Sequence, residues 1–185
     1  SCLVNPRAGH ETELVYAQTR QQKRIAVVGA GPAGLACATV LAERGHRVDL
    51  FEAASAIGGQ FNLAKLIPGK EEFSETLRYF ARRITVTGVN LRLGMRVTAE
   101  DLVSGGYDEI ILATGVMPRD PRIEGDDEQR REGRLLSYVD VLLERRPVGR
   151  RVAIVGAGGI GFDVAEFLVA GEHSTATDLP AWMAE

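Results

Sequence analysis

The sequence predicts an α/β fold in which one pattern, a buried strand followed by a glycine-rich turn and a helix, occurs twice along 185 residues. The first copy has an apolar run at residues 25–28 and a turn at residues 29–34. The second has residues 151–155 and a turn at residues 156–161. Short apolar runs of this kind are typical of parallel strands that are buried on both faces. The pattern therefore predicts two Rossmann-like dinucleotide-binding folds in tandem.

Composition and charge argue against several other classes of protein. The chain has 22 Lys and Arg against 25 Asp and Glu, a net charge of -3, without the basic stripe that binds nucleic acid. Its two cysteines, Cys2 and Cys37, form no disulfide framework and favour a reducing, cytoplasmic location. Residues 25–42 lack charge, but glycines and Pro32 interrupt them, which argues against a membrane span. The first 20 residues lack the apolar core of a signal peptide.

The first copy of the pattern continues into a complete βαβ unit. A helix is expected over residues 33–44 and ends at Gly45, because glycine favours the left-handed C-cap position. A second strand is expected over residues 48–52. Apolar residues at helical spacing then predict an amphipathic helix from about residue 71 to Gly88.

The middle of the chain is expected to alternate short strands with loops. A pair of short strands is predicted within residues 91–97, and a further apolar strand at residues 109–113. Residues 117–134 contain prolines, glycines and many charges, which is typical of an interdomain connection. A short helix is expected at residues 137–145, and the second glycine turn leads into a helix that ends near Ala170.

The first turn, in the segment VVGAGPAGLA, has the chemistry of a pyrophosphate site. A helix N-terminus presents free N–H groups and the positive end of the helix dipole to an anion, and glycine permits close approach. In such a motif Gly29 makes the tight turn, Gly31 admits the phosphates and Gly34 lets the helix pack against the strand. Pro32 and Ala33 belong to the same turn, and we expect them to bind the cofactor together with the three glycines.

Glu52 ends the following strand, about 20 residues after Gly29, at the offset where a carboxylate accepts hydrogen bonds from the ribose of bound adenosine. The plain alternative is a surface acid at the end of a strand. Turn, helix and acid in register favour nucleotide binding. The spacing alone does not choose between FAD and NAD.

A resemblance to a known family makes that choice. The segments Lys23 to Glu52, IGGQFN at residues 57–62 and ILATG at residues 111–115 resemble the FAD domain of flavin-dependent pyridine-nucleotide reductases. More narrowly, SCLVNPRAGHETE, IGGQFNLAKLIPGKEEF and VAIVGAGGIGFDVAEFL resemble the bacterial 2,4-dienoyl-CoA reductase family. The resemblance covers nearly the whole chain. Glycine turns occur in many folds, whereas the leader and the GGQFN segment are specific to this family and its close relatives.

The resemblance implies an FAD-binding domain over residues 23–118 and an incomplete NAD(P)H-binding domain over residues 119–185. Glu52 would hold the adenosine ribose of FAD, and the backbone of Val97 would contact the adenine. The other residues implied to lie along FAD are Gly59, Gln60, Ala113, Thr114 and Gly115. The residues implied to hold NADPH are Gly156, Gly158, Gly159 and Gly161. The sequence itself does not distinguish NADPH from NADH, since no strand that could bear the discriminating side chain is recognisable after the second helix.

The leader, residues 1–22, would by the same resemblance supply one ligand of a 4Fe-4S cluster, Cys2. Composition alone predicts only a free terminal thiol there, and a packed core thiol at Cys37. In the family, electrons pass from NADPH through FAD and the cluster to FMN in an upstream barrel, and then to a dienoyl thioester of unsaturated fatty acid oxidation. We therefore expect a fragment whose partners are the nucleotides and that barrel of the same parent chain, and we predict no catalytic residue in it.

Other functions remain open at this point. The chain could serve a related NAD(P)H:flavin oxidoreductase or an amine dehydrogenase, or it could be a nucleotide-binding sensor without turnover. A disulfide reductase of the thioredoxin reductase type shares the paired folds but needs a redox-active cysteine pair. Cys2 and Cys37 are far apart in the sequence and lie outside any CxxC motif.

Overall fold

A computed structural model describes residues 2, 4–5, 7–119, 123–170 and 179–183. The described chain forms two compact units. The first comprises the chain up to Phe61 together with Phe73–Gly115, and the second comprises Asn62–Glu72 and the chain from Val116 onward.

The first unit is built on one parallel sheet. The elements in chain order are β1 (Arg24–Val28), α1 (Pro32–Glu43), β2 (Arg47–Phe51), α2 (Phe61–Ala64), α3 (Phe73–Thr87), β3 (Asn90–Arg92), α4 (Ala99–Ser104) and β4 (Glu109–Leu112). The strands lie in the order β3-β2-β1-β4, with Ala26 of β1 beside Asp49 of β2 and Ile110 of β4. This arrangement confirms the predicted Rossmann-like α/β class.

β1 lies between β2 and β4, and both of its faces are covered. Successive side chains of a strand point to opposite faces of the sheet. Ile25 and Val27 pack on one face against α1 and α3, whereas Ala26 lies on the other face with Phe51 and with Leu102 of α4. Burial on both faces explains why the sequence of β1 is a continuous apolar run instead of an alternating one.

Local sequence explains where several helices begin and end. Pro32 opens α1, where its missing N–H leaves no helical hydrogen bond unmade, and Gly45, with φ 94°, follows the C-cap residue of α1. Gly88, with φ 75°, follows α3. α4 begins with a capping box in which Thr98 and Asp101 bind each other's backbone N–H groups.

The second unit contains the remaining helices. They are α5 (Asp126–Arg131), α6 (Tyr138–Leu142), α7 (Gly159–Val169) and α8 (Leu179–Trp182). Its core consists of Ile67, Val141, Leu142 and Val164. The helices predicted at residues 137–145 and after the second glycine turn are therefore present as α6 and α7. Among the described residues, no helix is both long and apolar enough to cross a bilayer.

The prediction of paired strands within residues 91–97 is wrong for the second strand. The chain turns after β3 at Gly94, which has φ 66°. The N–H groups of Gly94 and Met95 donate to the carbonyl oxygens of Ala54 and Glu52, at 2.8 and 2.9 Å. These backbone donors bind the loop after β2 and therefore cannot form a strand ladder.

The strand predicted at residues 151–155 is also wrong, because the chain there is irregular and exposed. A strand needs a hydrogen-bonded neighbour, and the described part of the second unit contains no other strand. Four short helices of the described structure were not predicted. They are α2, α4, α5 and α8, and of these α5 lies inside the predicted interdomain connection.

Candidate nucleotide-binding sites

The first glycine turn lies at the carboxyl end of β1, where α1 begins. Gly29 has φ 105°, and a Cβ atom there would overlap the carbonyl oxygen of Ala113. A Cβ atom at Gly34 would overlap the carbonyl oxygen of Gly29. Both obstacles are backbone atoms that cannot rotate away. Glycine is therefore required at both positions for the fold itself, as the motif predicts for the tight turn and the helix packing.

Gly31 differs from these two glycines because its surroundings are open. No described atom lies within 4 Å of a Cβ atom built on it. Gly59, with φ 51°, approaches so closely that its own Cβ atom would lie 3.1 Å from the Cα atom of Gly31. The N–H of Gly58 donates to the carbonyl oxygen of Ala30 at 2.8 Å. The Gly58 and Gly59 backbone thus lies against the turn and still leaves the space in front of Gly31 free.

α1 begins without a side-chain cap. Its N-cap residue is Gly31, its first helical residue is Pro32, and no acidic side chain lies in its first turn. Ala33 is exposed. The first N–H groups of a helix have no partner inside the helix, so an uncapped N-terminus of this kind can bind a phosphate group through those donors and the helix dipole.

The carboxylate of Glu52 is held beside this turn by two backbone donors. Its Oε2 accepts the N–H of Ala30 and its Oε1 accepts the N–H of Ala54, both at 2.8 Å. The backbone of Glu52 is fixed as well, since its N–H donates to the carbonyl oxygen of Arg92 at 2.9 Å. Each carboxylate oxygen can accept a further hydrogen bond. The side chain can therefore bind two neighbouring hydroxyl groups without moving.

The other residues implied to bind FAD surround the turn to different degrees. Ala113 contacts Gly29 and donates its N–H to the carbonyl oxygen of Val28 at 2.8 Å. Thr114 and Gly115 follow and are exposed. Gln60 is exposed, and Val97 is half-buried against the cluster of Ala26, Phe51 and Leu102. The structure thus brings Glu52, Gly59 and Ala113 to the first turn, and the roles of all these residues in binding FAD stay predictions.

The second glycine turn repeats the geometry of the first. Gly156 has φ 119°, and a Cβ atom at Gly161 would overlap the carbonyl oxygen of Gly156, as Gly34 would overlap Gly29. Gly158 is the uncapped N-cap residue of α7, and the space around Gly158 and Gly159 is open within the described structure. The N–H of Phe162 donates to the carbonyl oxygen of Gly158 at 3.2 Å. The turn therefore forms although the predicted strand before it does not.

Cys2 is exposed, and hydrogen bonds from the backbone of Val4 and Asn5 lower the pKa of its thiol. A lowered pKa favours the thiolate, which is the form that binds metals. Among the described residues, no group of three or more His, Cys, Asp or Glu side chains could hold a metal ion. Cys37 is half-buried in α1, where burial raises the pKa of its thiol, in agreement with the predicted core position.

Two features near the turns were not predicted. The backbone N–H groups that bind the carboxylate of Glu52 come from the first turn and from the loop after β2, and no residue type in the sequence predicts their positions. The ion pair between Lys70 and Asp163, with Nζ and Oδ1 2.6 Å apart, joins residues that are distant in the sequence. A lysine in a loop and an aspartate in a helix are common surface residues, so the sequence contains no signal for this pairing.

Comparison with known proteins identifies relatives for most of the chain. The model of the pyridine nucleotide-disulphide oxidoreductase family matches residues 23–177. Over 172 residues the chain is 36% identical to the metal reductase of Desulforamulus reducens, covering 91% of this chain and 25% of that protein. Over 173 residues it is 35% identical to the cinnamate reductase of Clostridium sporogenes, covering 91% of this chain and 24% of that protein.

A solved structure shows the same fold at similar identity. The structure of 2-naphthoyl-CoA reductase in complex with 2-naphthoyl-CoA matches with a TM-score of 0.82 and 34% identity, over 91% of this chain and 25% of that one. The chain therefore spans about a quarter of the length of these relatives.

Proposed function

The chain belongs to the pyridine nucleotide-disulphide oxidoreductase family and is an FAD- and NAD(P)-binding module of flavin-dependent oxidoreductases, and we propose that it serves in a multi-cofactor 2,4-dienoyl-CoA reductase. In such an enzyme this module would hold NADPH and FAD, and with a 4Fe-4S cluster it would supply electrons from NADPH to an FMN held in a barrel. Its partner is the upstream FMN barrel of the same parent chain, in the cytoplasm.

The observation that carries the proposal is the presence of two uncapped helix N-termini, each behind a turn of the same geometry, in one chain. One such turn is enough to bind a nucleotide. Two of them give the chain a site for each of two nucleotides, which is what an electron-transfer module needs. We assign FAD to the first turn, because the carboxylate of Glu52, which is held beside this turn, would bind the adenosine ribose of FAD.

The residues of the first turn fit the adenosine diphosphate part of FAD. The open space before Gly31 admits the phosphates, and the N–H groups at the start of α1 bind them. Glu52 accepts the ribose hydroxyl groups with the lone pairs that Ala30 and Ala54 leave free. When bound, FAD supplies an isoalloxazine ring that accepts a hydride from reduced nicotinamide. Predicted contacts of Gly59, Gln60, Val97 and residues 113–115 lie along it.

The second turn fits a second dinucleotide by the same physical argument. The space around Gly158 and Gly159 is open, and α7 offers its first N–H groups to a pyrophosphate. Gly156 and Gly161 shape the turn. NADPH is assigned to this turn on the resemblance of its sequence to the 2,4-dienoyl-CoA reductase family.

Cys2 fits a role as one cluster ligand, since backbone hydrogen bonds favour its thiolate. A complete 4Fe-4S site needs further thiolates, and Cys37 is half-buried in α1. The cluster and FMN would therefore depend on residues beyond those described, and no step through them is derived from this structure.

The substrate is assigned from the leader and the GGQFN segment. The names of two relatives, a cinnamate reductase and a 2-naphthoyl-CoA reductase, support an unsaturated or aromatic acyl substrate. A different enoate or an amine remains the alternative. A disulfide reductase is disfavoured, because the two cysteines of the chain are not adjacent.

Anaerobic absorbance spectroscopy of the complete natural gene product tests the proposal. We expect bound FAD, loss of its absorbance when NADPH is added, and its recovery when a 2,4-dienoyl-CoA is added. Nucleotide binding without any loss of flavin absorbance would instead indicate a sensor. Reduction by NADPH with recovery only on an amine or another enoate would overturn the substrate and keep the module.

A further inference from the structure

We propose that residues 62–72, which lie in the sequence between two parts of the first unit, position the second glycine turn, and that Lys70 is the positioning residue. The inference rests on the proposed binding of a nicotinamide nucleotide at that turn. It assigns to a segment next to Gly59 and Gln60 a role in the binding of the other nucleotide.

Residues 62–72 leave the first unit and belong to the second. The main chain leaves the first unit after Phe61 and returns to it at Phe73. The rings of these two residues are in contact, with their centroids 4.6 Å apart. The two ends of the excursion are therefore held together, and residues 62–72 form a closed loop that belongs to the second unit.

This loop packs into the core of the second unit. Ile67 is only 1% exposed and shares a core with Val141 and Leu142 of α6 and with Val164 of α7. Half-buried side chains of the loop and of α7 complete the cluster, namely Leu63, Leu66, Phe167 and Leu168. The nearly complete burial of this isoleucine side chain stabilises the contact between the loop and these helices, because its apolar surface is removed from water. The loop is therefore a constituent of the core that holds α7.

An ion pair joins the same loop to α7. Lys70 Nζ lies 2.6 Å from Oδ1 of Asp163, and the two side chains are 38% and 28% exposed. Asp163 comes two positions after Gly161 on α7, whose N-terminus forms the second turn. The segment before that turn is exposed and forms no strand. Within the described structure, α7 is thus fixed through α6 and residues 62–72, and a change in this loop displaces the N–H groups of the turn.

The positive charge of Lys70 also matters for the second turn. If a neutral residue replaced Lys70, the carboxylate of Asp163 would remain near the turn without its partner and would repel a bound pyrophosphate. Lys70 therefore favours binding in two ways, since it holds α7 and it neutralises an anion beside an anion site.

The test is a steady-state measurement of nicotinamide-nucleotide-dependent turnover with the complete natural gene product. We expect Lys70→Met to raise KM for NADPH about three- to tenfold, with kcat changed less than about twofold. FAD content should equal that of the wild type. Lys70→Arg should restore KM, because it restores the ion pair. Lys65→Met is the matched control, since Lys65 lies in the same loop, is half-buried and has no ion-pair partner among the described residues.

A second variant keeps the test informative if Lys70→Met does not fold. Asp163→Asn breaks the same ion pair from α7 but also removes the carboxylate that would repel the pyrophosphate, so it should raise KM by less than Lys70→Met does, without loss of FAD. An unchanged KM in Lys70→Met and Asp163→Asn, or the same rise in Lys65→Met, would overturn the inference. Loss of FAD in the Lys70→Met variant would show that the loop contributes to FAD binding instead, and would overturn the inference. A wild type that takes no electrons from NADPH or NADH would overturn the proposed function, and this inference with it.

Discussion

The carboxylate of Glu52 accepts the N–H groups of Ala30 and Ala54 before any ligand arrives. A side chain that is already oriented loses little conformational freedom on binding. Each of its oxygens can still accept a further hydrogen bond. The strength of the first site should therefore depend on this one residue more than on the exposed residues around it.

We predict that Glu52→Ala weakens FAD binding by about 1.5–3 kcal/mol, the range for hydrogen bonds to a charged group. This corresponds to a roughly ten- to hundredfold higher Kd. Flavin fluorescence titration measures the change. Glu109→Ala is the control, because Glu109 begins β4 at the amino ends of the strands, away from the turn at their carboxyl ends, and pairs with Lys23. Equal FAD affinity in Glu52→Ala and the wild type would remove Glu52 from the site.

Cys2 permits a second test at the scale of one residue. Its thiolate accepts backbone hydrogen bonds from Val4 and Asn5, an environment that suits an iron-sulfur ligand. In the complete natural gene product, Cys2→Ser should lower the iron content and leave FAD bound, since a hydroxyl is a poor ligand for such clusters. Iron analysis and the flavin spectrum give the two readings. Cys37→Ser is the control, and a full complement of iron in Cys2→Ser contradicts the assignment.

Within single elements, the glycines of one turn have separable roles. Gly34 is required by the fold, since a Cβ atom there would overlap the backbone of Gly29, whereas Gly31 faces open space. We predict that Gly34→Ala lowers the free energy of unfolding by about 1–3 kcal/mol through overpacking. Gly31→Ala should change it by less than about 0.5 kcal/mol and yet weaken FAD binding, because its methyl group occupies the space for the phosphates.

Urea unfolding and FAD titration of the two glycine variants check this separation. A Gly31→Ala variant that binds FAD like the wild type would show that the phosphates do not lie in front of Gly31. A Gly34→Ala variant of unchanged stability would show that α1 can shift away from the turn.

Asp49 of β2 accepts hydrogen bonds from side chains of β1, of β3 and of the segment before β4. Its Oδ2 accepts from Arg24 of β1 at 3.1 Å and from the hydroxyl of Tyr107 at 2.9 Å, and its Oδ1 accepts from Asn90 of β3. Burial raises the pKa of Asp49, but these hydrogen bonds together lower it below the ordinary value of 3.8. A carboxyl group whose pKa is lower in the folded state than in the unfolded state stabilises the fold at pH values above its ordinary pKa. This stabilisation is lost as the pH falls through the pKa of the folded state.

Asp49→Asn should therefore lower the free energy of unfolding most at neutral pH, by about 1.5–3 kcal/mol. The difference from the wild type should become progressively smaller as the pH falls below about 4. Tyr107→Phe removes one donor and should give a smaller loss with the same pH dependence. Urea unfolding between pH 3 and 7 measures both. A difference between wild type and Asp49→Asn that is constant over this range would show that the folded pKa of Asp49 is not lowered.

The elements also show how far the sequence predicts the fold. β1, α1 and β2 were predictable because an apolar run, a glycine turn and a C-terminal glycine all act locally. The strand expected at residues 151–155 has the same apolar composition as β1 but lacks neighbours in the described chain, so composition alone misled. α4 could have been found from Thr98 and Asp101, which have the spacing of a capping box.

The site was predictable to a similar extent. The glycines of both turns follow a local motif, and the structure gives both turns the expected shape. The donors to Glu52 and the packing of residues 62–72 on α7 were not predictable. Both arise from contacts between segments distant in the sequence, and the backbone atoms or common side chains that form them have no distinctive pattern.

At the scale of the whole molecule, several large apolar side chains of the described structure are exposed. Leu112 at the end of β4 is 70% exposed, and Val155 before the second turn is 76% exposed. A soluble protein rarely leaves many such residues uncovered. Since the chain spans about a quarter of the length of its relatives, we expect these surfaces to be covered in the complete natural gene product.

The last prediction concerns the 185 residues by themselves. Catalysis depends on holding the reacting groups in register, and the proposed function places FMN, the remaining cluster ligands and the proton donor in other parts of the parent chain. We therefore expect this chain, supplied with FAD and NADPH, to show weaker FAD binding than the complete gene product and no reduction of a 2,4-dienoyl-CoA. The loss of dienoyl absorbance measures turnover, with the complete gene product as positive control and a reaction without enzyme as background. Sustained turnover by the 185 residues alone would mean that the active site lies within them, and that the description of the chain as a cofactor-binding module of a larger enzyme is wrong.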